Sequence, residues 1–309
     1  MKKMILNNID YFNISKKHLE PYLDEFYIFV DTHPEINEYL ENANKIKSIL
    51  ITIKTLKNNN EESIIINKYY KELSKNINKY SNANEFSCFV NACDNSIESI
   101  KEEIEILKII VEKYFENRVL NEFTPREWIQ ALIDNNSSRK KGKCGEDKLI
   151  SILTNIGFKN VTNLIELKEQ QYCVLKFSNK INLKLIRKEF NLEIKTKNQN
   201  KNLDLIIKAN KKIFLCEAKH LNTSGGGQDK QISELIELLN IKENNENIFF
   251  ISFLDGKYSN KILNDSFLGP KLSTQRNQIK EFLRNNPNNF WLNTQGFKEL
   301  FKEIRFAKK

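Results

Sequence analysis

One segment limits the possible folds of this chain more than any other. Residues 248–254, Ile-Phe-Phe-Ile-Ser-Phe-Leu, are almost all apolar, which is typical of a strand buried on both faces of a sheet. A strand of that kind requires helices on both sides of its sheet. An amphipathic helical pattern over residues 229–240 directly precedes it. The sequence therefore predicts an α/β core in which helices flank a central sheet.

Further elements of this core are indicated upstream. A helix is predicted from about Cys144 to Ile156, and Gly157 is typical of the residue that follows a helix. Four later segments alternate or run apolar and are rich in β-branched and aromatic residues, which predicts strands over residues 172–177, 183–195, 203–209 and 212–220. The resulting order is helix, strands with a hairpin, helix and buried strand.

The net charge changes sign within the chain. Its 309 residues include 49 Lys and Arg against 40 Asp and Glu, a net charge of +9. Residues 1–135 hold 17 basic and 22 acidic residues, net −5, whereas residues 136–309 hold 32 and 18, net +14. An AT-rich coding sequence explains abundant Lys but not a change of sign. Residues 136–309 are therefore predicted to form a domain that meets a polyanion, and residues 1–135 a helical N-terminal region.

The compartment is indicated by what the sequence lacks. No apolar run approaches the roughly 20 residues that span a bilayer, and the polar start shows no secretory signal. The five cysteines form no CxxC pair. We therefore expect reduced thiols, no membrane association and a cytoplasmic location.

The segment 202–220 carries the clearest chemical signal. Asn210 and Lys211 can form a two-residue hairpin loop, because Asn tolerates positive φ. In that register Asp204 falls opposite Glu217, with Cβ atoms about 5 Å apart. Lys219 lies on the same face, because strand side chains alternate with a period of two.

Two opposed carboxylates repel each other unless a cation lies between them. A hard divalent ion with oxygen ligands, Mg²⁺ above all, suits this position, and the arrangement is typical of metal-assisted hydrolysis. The competing interpretation is an ordinary exposed strand on which Lys219 forms a salt bridge. Glu-x-Lys also occurs at residues 146–148, 166–168 and 193–195, but only Glu217 has both an apolar strand before it and an Asp in register opposite.

Asp204 followed by Glu217-Ala218-Lys219 resembles the signature of the PD-(D/E)XK nuclease superfamily. The resemblance covers roughly residues 140–255 in element order, and Leu203 stands where the motif has its Pro. Chain size and the Glu-Ala-Lys-His sequence are most similar to type II restriction endonucleases. The resemblance implies a restriction-endonuclease-like mixed sheet flanked by helices, preceded by an all-α region.

The resemblance also implies roles for individual residues. Asp204 and Glu217 would be metal ligands, with the backbone carbonyl of Ala218 as a possible third. Lys219 would be the catalytic lysine, and Glu146 the further acid that the family often places on the helix before the sheet.

The activity implied is sequence-specific cleavage of double-stranded DNA with Mg²⁺, for which Mn²⁺ would substitute. A bacterial homodimer paired with a protective DNA methyltransferase would follow. Two alternatives remain open. One is a repair, junction-resolving or modification-dependent nuclease of the same fold, and the other is a non-catalytic DNA-binding protein.

Three groups of residues are candidate DNA contacts. The first group, Lys140, Lys141 and Lys143, could instead be a basic linker. The second group, Gln228, Lys230 and Gln231, follows three glycines at a predicted helix N-terminus, which favours phosphate, but it could instead belong to a turn capped by Asp229. The third group, Arg276, Lys280 and Arg284, recurs every four residues on a helix predicted near 273–285 and could instead be a solvated helix face.

Three other residues are interpreted as structural. His220 lies on the opposite face of its strand from Lys219, where packing or hydrogen bonding is expected. Trp128 and Trp291 are predicted to be core aromatics.

Overall fold

The computed structural model describes residues 7–29, 31–120, 125–135, 138–190, 203–223 and 225–306. The chain divides into a sheet unit, residues 1–28 and 139–309, and a helical unit, residues 29–138. The second junction lies close to the boundary predicted after residue 135. The first 28 residues differ from the prediction, because they belong to the sheet unit.

Six strands form one mixed sheet in sequence order. Only β3 runs against its neighbours, and the other adjacent pairs are parallel. The chain is therefore an α/β protein, as predicted. The strands are β1 (Lys159–Val161), β2 (Tyr172–Lys176), β3 (Leu205–Ala209), β4 (Lys212–His220), β5 (Ile248–Asp255) and β6 (Asn289–Leu292).

This topology brings chemically active side chains to one side of the sheet. Because β3 alone is reversed, its first residue, Leu205, pairs with the last residue of β2 and with Cys216 in the second half of β4. The last residues of β5 and β6 lie along the same side. We call this line, from Lys176 through Leu205, His220 and Asp255 to Leu292, the carboxyl edge. Ligand sites in α/β sheets are typically found at such edges.

Most of the predicted strands are confirmed. β2, β3, β4 and β5 match their predicted segments, and β5 is buried along its whole length. The strand predicted over residues 183–195 is wrong for its described part, which forms a helix whose buried residues, Leu183 and Ile186, are three positions apart. Residues 191–195 lie outside the described part. The short strands β1 and β6 were not predicted.

The helices of the sheet unit cover both faces of the sheet, as the buried β5 requires. On one face Leu153, Phe214, Phe253 and Phe301 share a core. On the other face, Leu235 and Leu254 lie in a second core. The helices are α1 (Asn8–Lys17), α8 (Ser138–Asn155), α9 (Leu164–Glu169), α10 (Leu183–Phe190), α11 (Gly226–Leu239), α12 (Lys257–Leu263), α13 (Pro270–Asn285) and α14 (Thr294–Phe306).

Helix α8 is longer than predicted. It begins at Ser138 rather than near Cys144, so most of the predicted basic linker is helical. Lys and Arg are good helix formers, which offsets the cost of Gly142.

The N-terminal helix α1 is bonded to the last elements of the chain. The Asn8 side chain donates to three carbonyls in the α13–β6 region, those of Leu283, Asn286 and Asn289. The Tyr11 hydroxyl donates to Glu303 Oε2 at 2.6 Å. Residues from the start of the chain thus complete the core of the sheet unit.

The helical unit has its own apolar core. The apolar segment from Ile97 to Tyr114 forms two helices, divided at Glu103, and the first is capped by Ser96. Trp128 is 68 % exposed, contrary to the prediction, whereas Trp291 is fully buried as predicted. The helices are α2 (Ile36–Asn58), α3 (Ser63–Asn76), α4 (Glu85–Ala92), α5 (Ile97–Glu102), α6 (Ile104–Asn117) and α7 (Arg126–Asn135).

Among the described residues, no helix combines the length and the apolar character needed to cross a bilayer.

Arg276 departs from the row of basic residues predicted on α13. It is only 6 % exposed, and its guanidinium donates to four carbonyls at and just beyond the end of α12, those of Lys261, Ile262, Asn264 and Phe267. The last carbonyls of a helix have no partner within it. Arg276 therefore caps α12 instead of facing DNA, whereas Arg284 on the same helix is exposed.

We expect Arg276→Ala to lower the free energy of unfolding by about 2–4 kcal/mol, because buried carbonyls would lose their donors. Arg284→Ala on the same helix should change it by less than about 0.5 kcal/mol. Urea unfolding of both variants measures this difference. Equal effects of the two substitutions would contradict the capping role.

Candidate active site

Asp204 and Glu217 face each other at the carboxyl edge. The last regular pair of the hairpin, Leu205 with Cys216, has the predicted register, and the two carboxylates are the residues next to this pair. Asn210 has a φ of 58°, the left-handed conformation predicted for this hairpin loop. The backbone N–H of Asp204 donates to the carbonyl of Cys216 at 3.0 Å, so the pairing is offset by one residue just beyond its last regular pair.

Lys219 and the backbone of Ala218 contact the two carboxylates. Lys219 Nζ lies 2.6 Å from Glu217 Oε1. The Ala218 N–H donates to Asp204 Oδ2 at 2.7 Å, which fixes the orientation of that carboxylate. Glu217 is buried, with 3 % of its surface exposed. The structure thus brings together the three side chains predicted from the sequence.

This cluster is unbalanced electrostatically. Burial, followed by the negative charge of Glu217, raises the pKa of Asp204 to about 7, although Lys219 and the Ala218 N–H act in the opposite direction. A single ammonium therefore does not fully compensate the buried carboxylate of Glu217 and the half-buried carboxylate of Asp204. Added positive charge with oxygen ligation would relieve this repulsion, so the donor set fits a divalent cation.

Glu146 reaches the edge from α8. Its Oε2 atom lies 3.2 Å from Nζ of Lys176, the last residue of β2. Lys176 also pairs with Asp147 at 2.7 Å. The charge of Glu146 contributes to the raised pKa of Asp204, which places the carboxylate within electrostatic range of the pair.

The candidate DNA contacts differ in how far their side chains are exposed to solvent. Lys143 and Lys230 are exposed, and Gln228 and Gln231 are half-buried. The side chains of Lys140 and Lys141 lie outside the described part of the structure. Lys280 is half-buried, with Nζ 4.0 Å from Asp265.

Helix α11 begins earlier than predicted. It starts at Gly226 with Gly225 as its N-cap residue, so Asp229 lies inside the helix and pairs with Lys271 instead of capping it. Only residues 221–225 separate β4 from this helix, so its N-terminus lies near the carboxyl edge. Helix N-termini favour anions, phosphate among them.

A second charged cluster, not predicted from the sequence, lies at the same edge. Lys148 Nζ on α8 lies 2.6 Å from Asp24 Oδ2, 2.7 Å from Asp255 Oδ2 and 3.7 Å from Glu20 Oε2. The three carboxylates could hold a metal ion by their mutual spacing, since their ligand atoms lie within 4.8 Å of one another. The Lys148 ammonium already supplies a positive charge among them.

His220 and Tyr27 extend this cluster towards the catalytic candidates. His220 Nδ1 lies 2.9 Å from Asp255 Oδ1, and the Tyr27 hydroxyl donates to Asp255 Oδ2 at 2.9 Å. The rings of Tyr27 and His220 are stacked, with centroids 3.6 Å apart. Burial disfavours the ionised form of Asp255, but the hydrogen bond from His220 and the charge of Lys148 outweigh burial and lower its pKa.

Two features of the sequence could have indicated that Asp255 and Lys148 are buried with charged partners. Asp255 ends a strand that is otherwise almost entirely apolar, and Lys148 directly precedes the apolar pair Leu149 and Ile150. Ionisable groups in such positions are rarely buried without partners. The partners themselves, Glu20 and Asp24, are too distant in sequence to be predicted.

The helical unit contains an apolar cavity of about 930 Å³. Its lining includes Ile46, Leu50, Phe86, Tyr114 and the exposed Trp128. The charged residues in that lining are Lys47 and Glu85, so the lining offers one carboxylate and not two. The chemistry indicated by the described residues is therefore located at the carboxyl edge of the sheet unit.

The chain matches no model of a known protein family, and a search of curated proteins finds no significant match. The functional interpretation consequently depends on the geometry of the carboxyl edge.

The raised pKa of Asp204 predicts a pH-dependent stability. The protonated carboxyl is favoured in the folded state, so this contribution is present below the unfolded pKa, near 4, and is lost as pH rises through about 7. Asp204→Asn keeps the side chain neutral. Without divalent cations, the stability of this variant relative to wild type should therefore rise by roughly 2 kcal/mol or more between pH 4.5 and 7. Urea unfolding across that range in EDTA measures it, and a difference independent of pH would disprove it.

Proposed function

We propose that this protein is a Mg²⁺-dependent, sequence-specific endonuclease of double-stranded DNA, a type II restriction enzyme of the PD-(D/E)XK superfamily. One observation carries the proposal. Asp204 and Glu217 flank the last pair of one hairpin and Lys219 contacts Glu217, at the edge where α/β sheets hold their ligands.

The fold supports the proposal through its element order. Helix α8 precedes three consecutively paired antiparallel strands, β2 to β4, and α11 then leads to β5, which is parallel to β4. The resemblance to the superfamily implies this order of helix, strands with a hairpin, helix and buried strand. In this chain β1 and α9 lie between the first helix and β2.

The metal ligands in this proposal are Asp204, Glu217 and the backbone carbonyl of Ala218. Carboxylate and carbonyl oxygens suit Mg²⁺, and Mn²⁺ would substitute for it. When bound, such an ion polarises a phosphoryl oxygen and lowers the pKa of a bound water. Burial, followed by the charge of Glu217, raises the pKa of Asp204, and the positive charge of such an ion would favour its ionised form.

The side chains around the carboxylates have separate tasks. Lys219 can donate to an attacking water and stabilise the negative charge that develops on the phosphate. The Ala218 N–H holds the Asp204 carboxylate in one orientation. Glu146, which pairs with Lys176, supplies a further carboxylate near the reacting phosphate.

The proposed substrate is consistent with the distribution of charge. The domain that contains the edge carries the net charge of +14, and phosphate contacts provide much of the affinity for DNA. Lys143, Lys230 and Arg284 are exposed and available for such contacts. A homodimer suits cleavage of both strands at a two-fold symmetric site. A cognate methyltransferase and a bacterial cytoplasmic location complete the proposal.

Incubation with unmodified plasmid DNA in Mg²⁺, Mn²⁺ or EDTA tests this function. Discrete fragments that require a divalent ion would support a restriction enzyme, and sequencing their ends would give the recognition site. Cleavage confined to methylated or branched DNA would instead indicate a modification-dependent or junction-resolving nuclease. DNA binding without cleavage under every condition would indicate a non-catalytic binding protein.

We expect Glu217→Ala and Lys219→Ala each to lower the cleavage rate at least about a hundredfold, because each removes a group that stabilises charge in the transition state. DNA binding in EDTA should remain within a few-fold of wild type. Titration with Mn²⁺ should show weaker metal binding for Glu217→Ala.

Lys168→Ala is the matched control. Lys168 belongs to another Glu-x-Lys sequence, but it lies on α9 and pairs with Glu189. Its substitution should leave the cleavage rate unchanged. Full cleavage activity in either active-site variant would reject the assignment of Asp204, Glu217 and Lys219.

A further inference from the structure

Helix α8 is attached to the carboxyl edge at two points. Lys148 attaches it to Asp255 at the end of β5, with 2.7 Å between the ammonium and the carboxylate. Glu146 attaches it to Lys176 at the end of β2, where Glu146 Oε2 lies 3.2 Å from Lys176 Nζ. In the order of the sheet, β3 and β4 lie between β2 and β5. The helix therefore crosses beside the two strands that carry the proposed metal ligands.

Lys176 is a close neighbour of Asp204 across the pairing of β2 with β3. It pairs with Leu205, the residue that follows Asp204. The N–H of Phe177 donates to the carbonyl of Asp204 at 3.1 Å. The backbone of Lys176 is therefore fixed relative to that of Asp204.

The carboxylate of Asp204 lies at the edge of the sheet rather than on one face. Its Oδ2 atom accepts from the Ala218 N–H at 2.7 Å, and the N–H groups of paired strands lie close to the plane of the sheet. Regular pairing of β3 with β4 ends at Leu205, so this carboxylate lies where the two faces meet. Burial and the charge of Glu217 are the main causes of its raised pKa, and the charge of Glu146 on α8 adds to them.

The Lys176 ammonium is shared by two carboxylates of α8. Its Nζ atom lies 2.7 Å from Asp147 Oδ1 and 3.2 Å from Glu146 Oε2. The contact with Asp147 is the shorter one, so the ammonium keeps a close partner if Glu146 moves away. The Lys176 side chain is 33 % exposed and that of Glu146 is 29 % exposed, so burial does not lock either of them.

We propose that Lys176 is a positioning residue that competes with the divalent ion for the carboxylate of Glu146. Without the ion, Lys176 holds this carboxylate beside Asp204. With the ion, the carboxylate becomes an additional ligand, and the ammonium keeps Asp147 as its partner. The inference rests on the proposed nuclease function, because it concerns the metal site of that function and names a residue that regulates metal binding there.

Electrostatics decides the direction of the effect. The ammonium and the divalent ion repel each other, and both are attracted to the same carboxylate. A carboxylate that is already paired with an ammonium attracts a second cation less strongly than an unpaired one. Lys176 should therefore weaken the binding of the ion, although it keeps Glu146 close to the site.

The test is a double-mutant cycle on the full-length protein with Mn²⁺ as the probe. Binding is measured without DNA, from the electron paramagnetic resonance signal of the free ion. Lys176→Met, Glu146→Gln and the double variant remove the charges but keep side chains of similar size. Lys176→Arg retains the cation. Lys168→Met is the matched control, because Lys168 pairs with Glu189 on other helices of the same unit.

We expect Lys176→Met to tighten Mn²⁺ binding about fivefold and Glu146→Gln to weaken it by a similar factor. Added to Glu146→Gln, Lys176→Met should change binding by less than about twofold, because the contested carboxylate is absent. Lys176→Arg and Lys168→Met should stay within about twofold of wild type. In Lys176→Met, the Mg²⁺ concentration that gives half-maximal cleavage should fall in parallel.

Three results would overturn the inference. Equal tightening by Lys176→Met with and without Glu146 would show only a general effect of charge. Unchanged binding in Lys176→Met would show that nothing competes. Weaker binding with an unchanged melting temperature would show that Lys176 supports the ion instead.

A second variant tests the inference if Lys176→Met does not fold. Asp147→Asn lies on the exposed side of α8 and leaves the ammonium to Glu146 alone. It should weaken Mn²⁺ binding when Glu146 is present and have no effect in the Glu146→Gln background. Unchanged binding in both backgrounds would overturn the competition.

Cleavage of DNA separates this inference from the proposed function. A protein that shows the expected dependence on Glu146 but cuts no DNA would overturn the nuclease function and support the competition. A protein that cuts DNA without this dependence would retain the function and lose the inference. Binding of Mn²⁺ that Asp204→Asn leaves unchanged would overturn the inference, because the ion would lie elsewhere.

Discussion

The ammonium of Lys148, held among the carboxylates of Glu20, Asp24 and Asp255, joins the parts of the sheet unit that form the carboxyl edge. It connects α8, the end of β5 and the loop after α1. A buried ion pair contributes little net stability, because the desolvation of its charges offsets their attraction. Its main effect is on the positions of these elements, because the four charged groups pair with one another only when the elements are arranged in this way. That arrangement fixes where α8 crosses the edge and therefore where Glu146 lies.

The two faces of the sheet carry different functions at this edge. The period of two along β4 places Glu217 and Lys219 on one face and His220 on the other. His220 is held by Asp255 and Tyr27, so the end of β4 is fixed from the side opposite the proposed reaction. The backbone at Lys219 is therefore held in one position. A side chain that stabilises charge in a transition state must be positioned in this way before the reaction.

The hairpin could be predicted from the sequence because its determinants are local. Asn210 sets the turn, the turn sets the register, and the register sets Asp204 against Glu217. The buried β5 was equally clear, since no other element accommodates such an apolar run. Residues 183–190 were mistaken for a strand because their short apolar pattern fits both periods, and tertiary packing on the sheet selects the helix.

Long-range partners could not be predicted in this way. Glu20 and Asp24 precede Lys148 by more than a hundred residues, and a charge pattern alone does not identify which distant charges meet. Arg276 was misassigned for the same reason. Its spacing from Lys280 and Arg284 is helical, but its partners are the last carbonyls of another helix, which no periodicity reveals.

The bonding of α1 to β6 and α14 has a consequence for the order in which the protein matures. Residues 7–28 are synthesised well before their partners Asp255, Asn289 and Thr294. The helical unit, which lies between them in sequence, can fold earlier as a separate body. A chain that stops before Asp255 therefore lacks the partners that hold residues 7–28 against the edge with Glu217 and Lys219.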